Sequence, residues 1–287
     1  MSAPPSPMRK IELKHGSGSS SLTVVPFGGT IISWIVDGEE LIFVSKKAVL
    51  DGSKAIRGGV PICFPNFGPW SYGAQHGFAR TSKDWKPSDP KVDVTSGDVE
   101  LTLELKDSDE TRQIWDKMFS LLYRITLKEK SVELDVLVKN EGTEEFDLTF
   151  CFHTYFCSSD LAQIQIKDLK GLSYTDKTQD GGKIVTEEND VVSIQGFTDR
   201  VYANAPDQIS VKTGRKALEL TKSGLADWVV WNPYETAAKM SDMHENGYLE
   251  FVCVEATQAT KRIVIESGET WKAAHTMKVM DEYFYTY

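Results

Sequence analysis

The chain has 287 residues, 40% of them hydrophobic, and carries 42 acidic against 32 basic side chains for a formal net charge of −10. That charge excludes nucleic-acid binding by phosphate neutralisation, because the overall field repels a polyanion. A small phosphorylated ligand stays open wherever arginines or lysines cluster locally.

Residues 1–8 contain the Pro/Ser-rich SAPPSP and predict a disordered tail, with no apolar core of a signal peptide. No apolar run is long enough to span a bilayer. The 4 cysteines, Cys63, Cys151, Cys157 and Cys253, are too few for a disulfide scaffold and sit in apolar runs, as free thiols do. The expectation is a reduced, cytoplasmic protein with no membrane partner. No composition shift marks a boundary, so a single domain over 9–287 is expected.

After the His15–Ser20 turn the chain reads mostly as short strands. SLTVVPFGG, TIISWIVDGEELIFVS, VELTLEL, LLYRITLKEKSVELDVLVKNEG, DLTFCFHTYF, IQIKDL, ISVKTGRKALEL, DWVVWN, LEFVCVEAT and KRIVIESGETWKAAHTMKVM all fit, several with period-two alternation. Turn signals at Asp37-Gly38, Asn140-Glu141-Gly142, Thr213-Gly214 and Ser267-Gly268 separate them. One short helix is expected over Asp109 to Asp116. Many strands with few helices predict an all-β fold, a large antiparallel β-sandwich.

The stretch RGGVPICFPNFGPWSYGAQHGFAR, residues 57–80, breaks the pattern. Its prolines and glycines predict an irregular loop that cannot lie in a ladder, held rigid by its aromatics. Long ordered loops are usually functional. Arg57 opens it, Arg80 closes it, and Gln75 and His76 lie just before the end. These four could hold an oxyanion such as phosphate through guanidinium contacts; equally, the arginines could be ordinary surface or packing residues.

In FCFHTYF an extended chain puts Cys151, His153 and Tyr155 on one face and the phenylalanines on the other. LEFVCVEAT has the same grammar, with Phe251, Cys253 and Glu255 on one face. A carboxylate in so apolar a strand must be paired, hydrogen-bonded or protonated, which makes Glu255 a site candidate. His153 taken alone favours a core histidine with a satisfied ring. Zinc is disfavoured, because Cys151, His153 and Cys157 spread along one strand and cannot converge on a metal. A glycosidase pair is also disfavoured, since Asp135, Asp147 and Asp160 lie in polar or turn-like contexts.

The motifs IRGGVPICFPNFGPW, QHGFAR, FHTYF, FTDRVY, VVWNP and VCVEA occur in this order, and together they resemble the glucose-6-phosphate 1-epimerases (hexose-6-phosphate mutarotases) of the aldose 1-epimerase superfamily. The resemblance implies a galactose mutarotase-like supersandwich with no cofactor and no metal. It implies catalytic roles for His153 and Glu255, and substrate binding by Arg57, Gln75, His76, Arg80 and Asp199. Asn66, Ala74 and Thr81 depart from commoner forms of these motifs. The partner implied is a small hexose phosphate, and a monomer is expected. Glu255, ionised, would take the anomeric proton while His153, protonated, gives one to the ring oxygen. Trp70 and Trp231 could stack on the sugar, with core packing preferred for Trp231. Two rivals remain: a mutarotase for unphosphorylated aldoses, and a non-catalytic carbohydrate-binding sandwich.

Overall fold

Alternating apolar residues become half-buried strands throughout. In the strand Ser131–Asn140, Val132, Leu134, Val136 and Val138 are fully buried, while the residues between them reach toward solvent. The computed structural model describes residues 8–179, 182–214 and 216–280. The expected tail falls outside these, apart from Met8, which packs against the cluster of Val25, Phe27 and Ile56.

The described strands form a four-stranded N-terminal sheet and two large sheets of nine and eight strands. The principal ladders are antiparallel. Buried residues of both large sheets, such as Tyr123 and Val136 from one and Phe150, Phe152 and Val254 from the other, belong to one hydrophobic cluster. The result is the expected large antiparallel β-sandwich. Burial of each such large side chain stabilises the fold by about 1.5–3 kcal/mol. The single α-helix among the described residues, Asp109–Ile114, falls where a helix was expected and starts at a capping box between Ser108 and Thr111.

Three features differ from expectation. LEFVCVEAT and KRIVIE are one strand, Phe251–Ile265, because no turn residue interrupts them. The strand Thr198–Tyr202, in FTDRVY, was not anticipated. The loop after Arg57 does enter a ladder: Ile62–Cys63 pairs with Phe152 and Cys151. The ladder is only two residues long because prolines stand on either side, at Pro61 and Pro65.

Candidate active site

The strand Phe251–Ile265 lies between Asp227–Asn232 on one side and Phe146–Phe152, continued by Tyr155–Cys157, on the other. The predicted FCFHTYF strand is therefore broken at His153 and Thr154, where His153 N–H bonds Pro61 O at 3.0 Å. The register nevertheless carries across the gap: Phe152 pairs with Ala256 and Tyr155 with Cys253. That count sets His153 directly opposite Glu255. Their side chains meet at 3.2 Å, His153 Nδ1 to Glu255 Oε1. The approach is misaligned, and Nδ1 makes no hydrogen bond.

Both groups are buried, His153 at 8% and Glu255 at 1% exposure. Burial pushes the Glu255 carboxyl well above the usual carboxylate range, and the Cys151 thiol, donating to Oε2 at 2.9 Å, pulls it partly back. Burial likewise pushes His153 well below its ordinary value, and the charges of His76, Arg80 and Arg57 push the same way. In the ligand-free cleft these directions favour a neutral pair, with one proton on the carboxyl and none added to the imidazole. The expected ion pair holds the same number of protons and differs by moving one across the contact.

A cleft of about 370 Å³ opens over this pair, lined by all seven expected residues, Arg57, Gln75, His76, Arg80, His153, Asp199 and Glu255. Sheet register brings the sheet-borne ones together. Asp199 pairs with Trp231, Trp231 with Cys253, and Val229 with Glu255, so their side chains share the cleft face. Burial pushes the Asp199 carboxyl up, and Lys177 draws it back down.

The loop residues reach the cleft by close backbone approach. Gly58 sits at φ 122°, and a Cβ there would come within 2.4 Å of Phe43 O. Arg57 beside it is held by Asp242, Nε to Oδ1 at 3.1 Å, and donates from Nη1 to Tyr155 Oη at 3.3 Å. Arg80 donates from Nη2 to Gln75 O at 2.8 Å, while its buried Nε has no partner among the described residues. His76 accepts from Gly68 N–H at Nδ1, 3.1 Å, and its Nε2 lies 3.2 Å from the Gln75 side-chain nitrogen; its ring meets His153 edge-on with centroids 5.6 Å apart. Asn66 bonds the carbonyls of Phe67, Gly68 and Pro69 and so fixes the wall beside His76. A second cavity of about 490 Å³ shares Arg57, Arg80 and Met240 with the cleft and adds Lys54 and Lys239.

Among the other lining residues, Trp231 was weighed for stacking with the core preferred, and Lys177 was not singled out. Trp231, assigned to the core, presents its ring edge-on to His153 at 5.9 Å and lines the cleft. Only its pairing with Asp199 and Cys253 puts it on the cleft face, so the sequence carried no signal for it. Lys177 also lines the cleft, lying 5.2 Å over the Phe67 ring, and nothing in the polar run DKTQD distinguished it. Trp70 instead packs on Phe78 and Tyr72.

The family model for aldose 1-epimerase matches residues 9–278. The chain belongs to the aldose 1-epimerase family. A protein of Cenchrus ciliaris carrying the provisional name glucose-6-phosphate 1-epimerase is 34% identical over 93% of this chain and 84% of its own length. One of the same provisional name from Escherichia coli is 32% identical over 88% of this chain and 84% of its own length. Among solved structures, a provisionally assigned mutarotase from Salmonella typhimurium superposes with a TM-score of 0.87 at 29% identity, covering 96% of this chain and 92% of that one. The activity is accordingly that of an epimerase, a mutarotase.

The donor atoms of His153, Cys253 and Glu255 lie within 4.8 Å of one another and are the one set among the described residues that could hold a metal ion. It is not the Cys151–His153–Cys157 set weighed from sequence, since Cys253 enters from the neighbouring strand. The charges of Arg57 and Arg80 reach the same imidazole and oppose a cation there. Cys151 and Cys253 stand on either side of Glu255: Cys151 pairs with Thr257 and Cys63, Cys253 with Tyr155. All four cysteines are free thiols. A carboxyl and an imidazole on one cleft wall are the kinds of group that can accept and donate a proton at neighbouring atoms. No helix among the described residues is long and apolar enough to cross a membrane.

Proposed function

We propose that the epimerase interconverts the α and β anomers of an aldohexose 6-phosphate, with D-glucose 6-phosphate as the leading substrate. The observation that carries this reading is the arginine pair in the cleft of His153 and Glu255, where Arg80 keeps a buried, unpartnered Nε. An unpaired guanidinium donor in a wall is costly, and a phosphate oxygen relieves it with a charge-assisted bond. The provisional names of the relatives support the same substrate.

In this reading Glu255, as carboxylate, takes the proton of the anomeric hydroxyl. The C1–O5 bond breaks, its electron pair goes to O5, and O5 takes a proton from the His153 imidazolium. C1 is then an aldehyde. Rotation about C1–C2 presents its other face, and the proton transfers run in reverse to close the ring. The open-chain stage leaves Glu255 protonated and His153 neutral, the pair that burial favours in the empty cleft. Arg57 and Arg80 hold the phosphate, with Gln75, His76 and Asp199 for the sugar hydroxyls. Binding energy spent there fixes the register of C1 over the pair.

Anomer exchange of glucose 6-phosphate, followed by exchange NMR beside free glucose and galactose, tests the reading. Faster exchange of the phosphorylated sugar is expected. Equal acceleration of free aldoses would assign the enzyme to unphosphorylated sugars, and binding without acceleration would make it a carbohydrate-binding sandwich.

A further inference from the structure

One side chain joins the phosphate end of the cleft to the acid–base end. The Tyr155 hydroxyl accepts a hydrogen bond from Arg57 Nη1 at 3.3 Å. Its ring lies parallel to the His153 ring, with centroids 4.9 Å apart and 9° between planes. Tyr155 is 2% exposed and firmly placed: its backbone N–H bonds Gly59 O, its carbonyl accepts from Phe43 N–H, and its ring meets Trp231 and Phe251. A displacement or charge change at Arg57 therefore reaches His153 through one rigid ring.

The sign of that coupling follows from electrostatics. The electron-rich face of a parallel phenol favours an imidazolium over a neutral imidazole. A guanidinium on the phenol oxygen draws density away from that face, and the cation itself disfavours a second positive charge nearby. A phosphate dianion on the arginines cancels that field. The groups facing His153 are Glu255, Cys253, His76, Tyr155 and Trp231, with the charges of Arg57 and Arg80 beyond them. Among these, Tyr155 touches both the imidazole and an arginine of the expected phosphate site.

We infer that Tyr155 is a positioning residue that couples phosphate capture at Arg57 to proton donation by His153, so that a phosphorylated sugar arms its own general acid. The inference rests on the phosphate reading above. It predicts that the phosphate need not be attached to the sugar. A free dianion bound at the arginines should activate the enzyme toward a sugar that lacks one.

The test adds phosphite dianion to glucose and follows anomer exchange by NMR, in the wild type and in Tyr155→Phe. The variant keeps the stacked ring and removes the acceptor for Arg57. Saturating phosphite is expected to speed wild-type glucose exchange by about tenfold or more, and the Tyr155→Phe enzyme by only about twofold, the scale of one charge-assisted hydrogen bond. With glucose 6-phosphate, Tyr155→Phe should lower kcat by about tenfold and leave KM within about threefold, since an effect on the proton step is not an effect on binding. Phosphite should also move the His153 ring signals toward the imidazolium in the wild type and not in the variant. Full phosphite activation of Tyr155→Phe, or wild-type ring signals that ignore phosphite, overturns the coupling. The two readings fail separately. Fast exchange of glucose 6-phosphate with no phosphite effect on glucose removes the coupling and leaves the phosphate assignment standing. No preference for glucose 6-phosphate over glucose removes both. The wild-type phosphite titration decides the question even where the variant melts early.

Discussion

His153 and Glu255 stand opposite each other on two strands of one sheet, whereas Arg57 and Arg80 stand at the two ends of a Gly- and Pro-rich loop. The first pair is placed by ladder register. Its spacing is fixed by pairings that run on both sides of it, and shifting it by one residue would turn every side chain of the strand to the other face. The second pair is placed by side-chain contacts: Asp242 and Tyr155 for Arg57, Gln75 O for Arg80. Register is all-or-none, and side-chain contacts are adjustable. A cleft built this way separates the two proposed roles, acid–base chemistry and anion binding, and each half should fail differently when broken.

The largest effect belongs to the sheet-borne pair. Glu255→Gln and His153→Asn should each lower kcat for anomer exchange by about 10²–10⁴-fold, the usual reach of a positioned acid or base. KM should change little, and phosphorylated and free sugars should suffer alike. Exchange NMR on both substrates checks this; wild-type rates in either variant would remove that residue from the chemistry. The loop-borne pair should behave in the opposite way. Arg80→Ala and Arg57→Ala should each cost about 10–100-fold in kcat/KM with glucose 6-phosphate, from the loss of a charge-assisted contact. Exchange of free glucose should fall far less. Equal losses on the two sugars would mean that the arginines are structural.

Much of this division was legible in the sequence. Period-two runs gave the strands, a carboxylate in an apolar strand singled out Glu255, and the motif resemblance, not the pattern, gave His153 its role. The loop stood out by its prolines and glycines. What could not be read was whatever depends on which strands lie side by side. Trp231 is as apolar as its core neighbours Trp228 and Val230, and only its pairing with Asp199 and Cys253 puts it on the cleft face. Lys177 looks like any solvated lysine. Its place is fixed by a backbone bond from its N–H to Asp199 O at 2.8 Å, a long-range contact. The charge state of the pair was expected to be ionic, and burial pushes both groups toward their neutral forms. Desolvation is a property of the assembled wall, and no single strand carries its signature.

The next effect sharpens the contrast by moving the loop without touching a functional side chain. Gly58→Ala places a Cβ 2.4 Å from Phe43 O, at a φ of 122° that L residues rarely adopt. The backbone must shift, at a cost on the order of 1–3 kcal/mol of stability. Arg57 moves with it, whereas His153 and Glu255 keep their own ladder pairings; the nearest link is Gly59 O, which accepts from Tyr155 N–H at 3.0 Å. The melting temperature should fall, KM for glucose 6-phosphate should rise, and kcat on free glucose should be largely kept. A loss confined to kcat would mean that the loop braces the acid–base pair, and the two halves would not be separable.

The smallest effect lies on the seam between the halves. Cys151 belongs to the strand that leads to His153, pairs with Cys63 of the loop, and donates its thiol to Glu255 Oε2 at 2.9 Å. That bond stabilises the carboxylate against the desolvation that pushes Glu255 up. In Cys151→Val the donor is gone and the carboxyl proton is held more tightly. Ring opening needs the ionised form, so activity rises with pH as Glu255 loses its proton. Removing the thiol should therefore move the rising limb of the kcat/KM profile to higher pH. On that limb the rate should fall by about two- to tenfold, the worth of one neutral-donor hydrogen bond, and recover on the plateau. Cys151→Ser keeps a donor and should leave the limb near its wild-type place. A limb that moves to lower pH in Cys151→Val, or that moves equally in both variants, would show that the thiol acts by volume and not by its proton. The carboxylate's readiness would then be set by the sheet alone.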